Sequence, residues 1–254
     1  MMSKKKKLLI FILSYKASYR ITEVYNQIPF KKLKKFDVKV LISDDCSNDD
    51  TEIYIKKLKN KKNFININKK NIGYGAHIKK CLNFALKKKF DYSVMIHGDG
   101  QYGPKYIPKL ISYFKNNNID SIAAVTGSRL YNGLASVKKG NMPFYKMIGN
   151  IFLTKFFNFL FNTKFTDAHT GLWLYNLNFL KNKKFENLAD NFNFDQEFRL
   201  LCIYKNMNVK EIYIKTKYGD ERSQLHVIYA IRFFFKTILF FLIKKGLIKS
   251  KKFS

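Results

Sequence analysis

The 254-residue chain is long enough for one large globular domain. Hydrophobic residues make up 46% of it and aromatic residues 17%, which excludes a disordered chain, so the formal charge of +30 is predicted to lie on a folded surface. This charge reflects either the lysine-rich usage of an AT-rich genome or attraction to anionic partners such as nucleotide phosphates, lipid headgroups or nucleic acid. The three cysteines form no CxxC pair, which argues against a disulfide framework or a zinc site and favours a reducing cytoplasmic location.

Apolar runs of strand length alternate with amphipathic stretches through the first half of the chain, which predicts a parallel α/β sheet. The first run is too short for the core of a signal peptide and is predicted to be a buried strand. The predicted strands are residues 8–14, 38–43, 64–67, 92–97 and 122–126, and the predicted helices between them are 53–58, 76–88 and 107–116. Four successive βα units predict a doubly wound, Rossmann-like sheet.

Polar residues follow three of the predicted strands. Ser14 and Tyr15 follow the first, Asp44 and Asp45 the second, and the segment 98–101 the fourth. In doubly wound sheets, ligands bind beyond the carboxyl ends of the strands, where helix N-termini point at bound phosphate. These residues are therefore predicted to line one binding mouth.

The carboxylates at this mouth favour a nucleotide or metal ligand. Asp44 and Asp45 repel one another at the end of a buried strand unless a ribose, a base N–H or a metal pairs with them. His97 and Asp99 lie two residues apart and can project toward the same divalent cation, which would neutralise the charge of a diphosphate. The alternative is structural, because Asp49 or Asp50 can cap the next helix and Asp99 can shape a glycine-rich turn.

After about residue 130 the pattern loosens into a loop, an aromatic-rich helix at 144–161 and further helices, which are predicted to cover the acceptor. The last apolar stretch, 226–243, carries Arg232 and Lys236 in its middle, and each would cost about 2.5 to 3.5 kcal/mol at the centre of a membrane span. We therefore expect either an interfacial helix or a helix packed on the protein's own sheet. The expected apolar side consists of Ile228, Ile231, Phe235, Leu239 and Leu242.

Together these segments closely resemble family 2 glycosyltransferases of the GT-A fold, in particular the branch of dolichyl-phosphate mannosyltransferase and bacterial polyprenyl-phosphate glycosyltransferases. The resemblance runs from about residue 8 to residue 225. The matching segments are 44–51 (DDCSNDDT), 71–76 (NIGYGA), 97–102 (HGDGQY), 127–129 (GSR), 166–172 (TDAHTGL), Glu197 and the pair Arg222-Ser223. Any one of these motifs is weak evidence, but the whole set in the family's order is specific.

The resemblance implies an α/β GT-A fold, a mixed sheet flanked by helices, with a transferase domain at 1–225 and a basic amphipathic tail at 226–254. It implies a nucleotide-diphospho-sugar donor and a divalent metal, Mg²⁺ or Mn²⁺. The implied donor-binding residues are Ser14, Tyr15, Asp44, Asp45, Gly73, Gly75, His97, Gly98, Asp99 and Arg129, and the implied metal ligands are Asp99 and His97. The implied catalytic residues are Asp99, Gln101, Asp195 and Arg222, with the arginines at positions 129 and 222 facing phosphate.

Two positions depart from the family pattern. The family's early Pro-x-Tyr-Asn-Glu segment is here Leu13-Ser14-Tyr15-Lys16-Ala17, without the acidic residue, and His97 replaces the first aspartate of the DADGQ motif. Histidine is a softer ligand than Mg²⁺ usually takes, which favours Mn²⁺ more than in other members. The same departures keep open an inactive, transferase-like protein.

The leading hypothesis is an inverting transferase that moves a hexose to polyprenyl phosphate at the cytoplasmic face of the cell membrane. A phosphate acceptor is already anionic, so positioning and charge neutralisation suffice. The alternative acceptor is a saccharide hydroxyl in cell-envelope polysaccharide synthesis, which needs a base, and Asp195 and Glu197 are the candidates. Nucleic-acid binding is disfavoured because the chain has no recognisable nucleic-acid-binding motif and acidic loops repel phosphate.

Overall fold

A seven-stranded mixed sheet forms the centre of the protein, in the strand order β3-β2-β1-β4-β6-β5-β7. The computed structural model describes residues 5–116, 121–133, 142–182, 184–216 and 227–247. The strands are β1 (Lys7–Ser14), β2 (Asp37–Asp44), β3 (Asn63–Ile67), β4 (Tyr92–His97), β5 (Ile122–Ser128), β6 (Trp173–Asn176) and β7 (Asn208–Tyr213). The five strands predicted from the sequence are all present, each within two residues of its predicted ends.

Helices cover both faces of the sheet. They are α1 (Arg20–Asn26), α2 (Thr51–Lys57), α3 (Tyr74–Lys87), α4 (Ile107–Asn116), α5 (Phe144–Phe161), α6 (Phe194–Tyr204) and α7 (Val227–Lys244). Short 3-10 turns lie at Phe30–Leu33, Pro104–Tyr106, Phe179–Asn182 and Lys184–Asn187. Side chains of α3, α5, α6 and α7 share one hydrophobic core, and those of α1, α2 and α4 share the other.

Strand β1 shows how the sheet divides these two cores. Leu9, Phe11 and Leu13 belong to the first core, whereas Leu8 and Ile10 belong to the second. This alternation follows from the two-residue period of a strand, and it accounts for the continuous apolar run that a strand buried on both faces requires. The prediction of a sheet covered on both sides is confirmed.

Two strands, β6 and β7, were not predicted from the sequence. β6 is only four residues long and runs antiparallel to both β4 and β5, whereas β1, β2, β3 and β4 are mutually parallel and β5 pairs in parallel with β7. A run of four residues is too short to be distinguished as a strand by its hydrophobic pattern alone. Its insertion makes the sheet mixed, as the family resemblance implied, and brings the segment before it to the mouth.

Helix α7 packs on the protein's own core with one side and leaves its other side exposed. Phe233, Phe240 and Ile243 are buried in the first core, whereas Phe235 and Leu239 are exposed. The exposed side is the one expected from the sequence, although the side chain of Ile228 and the predicted boundary at residue 225 lie outside the described residues. Among the residues that the structure describes, none of the helices combines the length and the apolar composition that crossing a bilayer requires.

The aromatic cluster around Phe198 anchors α6 to the sheet. Phe198 is fully buried and meets Trp173 and Tyr175 edge-on, at centroid distances of 5.5 and 5.1 Å. We expect Phe198→Ala to lower the free energy of unfolding by about 3 to 5 kcal/mol in urea denaturation, because it leaves a cavity behind α6. Exposed Ile53, changed to alanine, serves as the control and should shift stability by less than about 0.5 kcal/mol. Equal effects of the two changes would contradict this packing.

Candidate active site

The acidic loop after β2 is ordered by its own carboxylates. Asp44 is buried and accepts hydrogen bonds from the backbone N–H and the hydroxyl of Ser47, at 2.8 and 2.6 Å. Asp49 accepts from the N–H of Thr51 at the start of α2 (2.9 Å), as the structural alternative for this loop expected. The Ser47 hydroxyl also accepts from the N–H of Lys16 (2.7 Å), which ties this loop to the end of β1.

Asp45 holds the neighbouring glycine loop. Its Oδ1 accepts from Asn68 Nδ2 (2.8 Å) and from the N–H of Ile72 (3.0 Å), and its Oδ2 accepts from the N–H of Gly73 (3.1 Å). A buried carboxylate with this many donors is well compensated. Both oxygens therefore serve the protein's own backbone, and the contact of Asp44 and Asp45 with a nucleoside stays a prediction.

Gly73 and Gly75 permit a close approach of two backbone segments. Gly73 has a φ of +90°, and a Cβ there would lie 2.8 Å from the carbonyl oxygen of Asp190. A Cβ at Gly75 would collide with the carbonyl of Ala189, while the Gly75 N–H donates to Asp190 O at 2.8 Å. These glycines, predicted to approach the donor, instead contact the segment that leads into α6.

Tyr74 links the glycine loop to Asp195, a contact that was not predicted from the sequence. Its hydroxyl donates to Asp195 Oδ2 (2.9 Å) across a sequence separation of 121 residues, and its ring stacks on Phe192 at 5.0 Å. Burial raises the pKa of Asp195 to about 7, even though the Tyr74 hydrogen bond and the nearby Arg199 lower it. Asp195 Oδ1 is buried and has no hydrogen-bond partner among the described residues.

His97 connects the end of β4 to the loop before β6. Its Nε2 lies 3.0 Å from the carbonyl oxygen of Gly171, and because a carbonyl only accepts, Nε2 carries the proton and Nδ1 the lone pair. Burial lowers the pKa of His97, so the ring is neutral at pH 7. The ring lies between Tyr74 and Tyr102, at centroid distances of 5.8 and 5.4 Å.

Asp99 lies on the turn that follows. Its Oδ1 accepts from the backbone N–H of Gln101 (2.9 Å), and its side chain is half-buried. The N–H of Gly98 donates to Leu13 O (2.8 Å), which joins this turn to the end of β1. There the hydroxyl of Ser14 is buried without a partner among the described residues, and Tyr15 is exposed. The predicted mouth is thus assembled from the ends of β1, β2 and β4.

Two residues at the mouth offer donor atoms to a metal ion. Within the described part of the chain, no group of three or more His, Cys, Asp or Glu side chains could hold a metal ion. Asp99 offers a hard carboxylate oxygen, and His97 offers the lone pair of Nδ1. This donor set would fit a divalent cation whose remaining ligands came from a diphosphate.

Arg129, which is predicted to face phosphate, contacts the loop 166–171 in the structure. It is buried and forms a two-pronged ion pair with Asp167, Nε to Oδ2 at 2.6 Å and Nη2 to Oδ1 at 2.9 Å, and Nη2 also donates to His169 O at 2.9 Å. Burial alone would raise the pKa of Asp167, but the Arg129 guanidinium holds it well below its usual range. The structure therefore gives Arg129 the task of fixing the loop 166–171, and its contact with phosphate stays a prediction.

A second buried arginine, Arg199, was not assigned a role from the sequence. It lies one turn after Asp195 on α6, between the rings of Phe165 (4.3 Å) and Trp173 (4.9 Å). Only its Nη2 has a hydrogen-bond partner among the described residues, Asp167 O at 3.4 Å. The signal available in the sequence was the scarcity of arginine, five residues against 43 lysines. The predicted catalytic Arg222 lies outside the described residues.

The Arg129–Asp167 pair generates a stability prediction. Arg129→Ala should lower the free energy of unfolding by about 3 to 5 kcal/mol, because it leaves the Asp167 carboxylate buried without its cation. Arg232→Ala, at an exposed position, is the control and should change stability by less than about 0.5 kcal/mol. A variant with unchanged stability but a raised KM for the donor would instead place Arg129 on phosphate.

Comparisons with known proteins identify the family of the chain. The model of the family described as glycosyl transferase family 2 matches residues 15–182. An uncharacterized protein of Methanocaldococcus jannaschii is 31% identical over 202 residues, 75% of this chain and 82% of that protein. The UDP-N-acetylglucosamine–dolichyl-phosphate N-acetylglucosaminyltransferase of Methanococcus voltae is 30% identical over 151 residues, 59% of this chain and 57% of that protein.

Solved structures show the same fold. Glucosyl-3-phosphoglycerate synthase of Mycobacterium tuberculosis in complex with UDP matches with a TM-score of 0.67 at 13% identity, over 96% of this chain and 82% of that chain. The same enzyme in complex with Mn²⁺, UDP-glucose and phosphoglyceric acid matches with a TM-score of 0.64 at 13% identity and the same coverage. The chain therefore belongs to glycosyl transferase family 2 and is a glycosyltransferase of the GT-A type.

Proposed function

We propose that this glycosyltransferase moves a hexose, with inversion, from a nucleotide-diphospho-sugar to polyprenyl phosphate at the cytoplasmic face of a membrane. The observation that carries the proposal is the packing of two apolar helices, α5 and α7, beside the loop 166–171 and helix α6. We refer to this loop and helix as the proposed acceptor side. Asn150 of α5 donates to Asp167 (3.1 Å), and Lys236 of α7 donates to Glu197 on α6 (2.9 Å). The Methanococcus voltae relative, by its name, acts on dolichyl phosphate, which supports the same acceptor class.

The donor side of the proposal rests on the mouth between β1, β2 and β4. The matched Mycobacterium tuberculosis structures contain UDP, UDP-glucose and Mn²⁺, which supports a nucleotide sugar and a divalent metal here. Asp99 would hold the metal together with His97 Nδ1. When bound, the metal supplies positive charge against the leaving diphosphate. Gln101, on the same turn, would contact the sugar or the diphosphate.

The proposed acceptor explains how the reaction proceeds without a strong base. An oxygen of the acceptor phosphate attacks the anomeric carbon as the bond from that carbon to the nucleoside diphosphate breaks, and the electron pair leaves with the diphosphate. No proton needs to be removed, because the acceptor is already anionic at neutral pH. The enzyme then contributes orientation and charge neutralisation.

Asp195 supports a second candidate, transfer to a saccharide hydroxyl. A hydroxyl must lose a proton as it attacks, and a carboxylate with a pKa of about 7 is well matched to accept that proton near neutral pH. Tyr74 fixes one oxygen of this carboxylate, and the other has no partner among the described residues. This arrangement is the one expected of a general base.

Donor binding gives the first test. Titration calorimetry with UDP- and GDP-sugars, in the presence of Mn²⁺ or Mg²⁺, should show metal-dependent binding of one nucleotide. Asp99→Ala should weaken that binding about tenfold or more, because the charge of the diphosphate loses its carboxylate-held counterion. Asp91→Ala, which removes a carboxylate at the opposite end of β4, is the matched control. If no nucleotide binds, the chain is an inactive, transferase-like protein.

Asp195 distinguishes the two acceptor classes. With a hydroxyl acceptor, Asp195→Asn should lower kcat by about 10² to 10⁴-fold, and the native rate should rise with pH through about 7 as the carboxyl loses its proton. With a polyprenyl phosphate acceptor, kcat should change less than about tenfold, since no base is needed.

The pH profile of the variant supplies the control. An inflection of the rate against pH that persists in Asp195→Asn belongs to the acceptor, whose phosphate has a second pKa of about 6. An inflection that disappears belongs to Asp195. A large loss of kcat with polyprenyl phosphate, together with a lost inflection, would contradict the base-free mechanism.

A further inference from the structure

Helices α5 and α7 join into one exposed apolar surface, here called the α5/α7 face. Phe156 of α5 stacks on Phe234 of α7 at 4.6 Å, and exposed Phe152 stacks on the same ring at 6.4 Å. Phe159 on α5 and Phe235 on α7 are 83% and 64% exposed. Large aromatic side chains held in solvent on two adjoining helices are unusual for a surface that only faces water.

The charge of the α5/α7 face has one sign. Neither Phe144–Phe161 nor Val227–Lys244 contains an aspartate or a glutamate. Lys155 and Arg232 are exposed, and Lys244 follows on α7. A surface that combines apolar side chains with cations alone is complementary to the acyl chains and negative headgroups of an anionic bilayer.

A second copy of the chain fits this face poorly. A two-fold interface brings the same patch of both subunits together, so the cations of one copy would meet those of the other without an acidic residue of these helices to pair with them. An anionic bilayer supplies the missing negative charge. It also lets long cationic side chains reach the headgroups while the aromatic rings enter the interface.

The position of the face relative to the site agrees with a lipid surface. The opposite sides of α5 and α7 pack on the loop 166–171 and on α6 through the contacts of Asn150 and Lys236 described above. A bilayer on the α5/α7 face would thus lie next to the helix that carries Asp195. The distance between a lipid-borne acceptor in that bilayer and helix α6 would be about the thickness of α5 and α7.

We propose that the α5/α7 face is a docking surface for an anionic membrane. The proposal rests on the proposed function in one respect, the use of a lipid-borne acceptor, and it goes further by naming the helices that bind the bilayer. Helix α5 contributes exposed rings to this surface as α7 does. Docking involves no chemical step, so it can be measured without donor or acceptor.

Vesicle co-sedimentation of the full chain tests the proposal. The native protein should bind vesicles of phosphatidylcholine with phosphatidylglycerol, and bind pure phosphatidylcholine more weakly. Phe159→Ser combined with Phe235→Ser should lower the partition coefficient by about tenfold or more, because two exposed rings no longer enter the interface. Lys155→Gln combined with Arg232→Gln should weaken binding to the anionic vesicles selectively.

The matched control is Ile53→Ser. Ile53 is 57% exposed on α2, on the opposite face of the sheet, and its loss should leave vesicle binding unchanged. Circular dichroism and donor calorimetry of each variant verify that it is folded. The double serine variant should retain native donor binding.

Three outcomes would overturn the proposal. They are equal binding of native protein to neutral and anionic vesicles, equal loss in the Ile53→Ser control, and a native dimer that the double serine variant dissociates without any effect on vesicle binding. The acceptor is tested apart from docking, with polyprenyl phosphate in detergent. Failure of transfer there, with vesicle binding intact, would refute the proposed acceptor and leave the docking surface standing.

Discussion

At the end of β2, the carboxylate of Asp45 accepts hydrogen bonds from Asn68 and from the backbone of Ile72 and Gly73, and the rest of the site is built on that loop. Once the loop is held, Gly73 and Gly75 can lie against the segment before α6, and Tyr74 reaches Asp195. The proposed donor site and Asp195 are therefore joined through one buried carboxylate. A substitution that releases this loop from Asp45 would disturb both the loop itself and the contact between Tyr74 and Asp195.

The loop 166–171 depends on a second set of buried charged residues. Arg129 and Asp167 neutralise each other beneath the loop 166–171, and Arg199 lies nearby between two aromatic rings. Arginine suits such positions because its planar guanidinium forms two parallel hydrogen bonds and stacks on rings, which a lysine ammonium cannot do. This explains why two of the few arginines are buried while lysine supplies most of the surface charge.

Helices α5 and α7 each have one buried face and one exposed face. Their buried faces complete the larger core, with Phe157 and Phe240 among its members, and their exposed faces carry aromatic rings and cations. Folding alone would be satisfied by the buried faces. The exposed rings are therefore the part of the helix sequence that the fold does not account for, and the proposed membrane docking would account for it.

The sequence by itself determined five of the seven strands, most of the helices and the family, because burial period and motif order are local properties that a chain displays before it folds. It also placed Ser14, Asp45 and Asp99 at or just after the ends of parallel strands, and their role in donor binding stays a prediction. Only the tertiary structure decided which groups meet there: that Arg129 pairs with Asp167, that Tyr74 binds Asp195, and that His97 donates to Gly171. These partners are 38 to 121 residues apart, so their pairing depends on how the helices pack on the sheet and not on any local pattern.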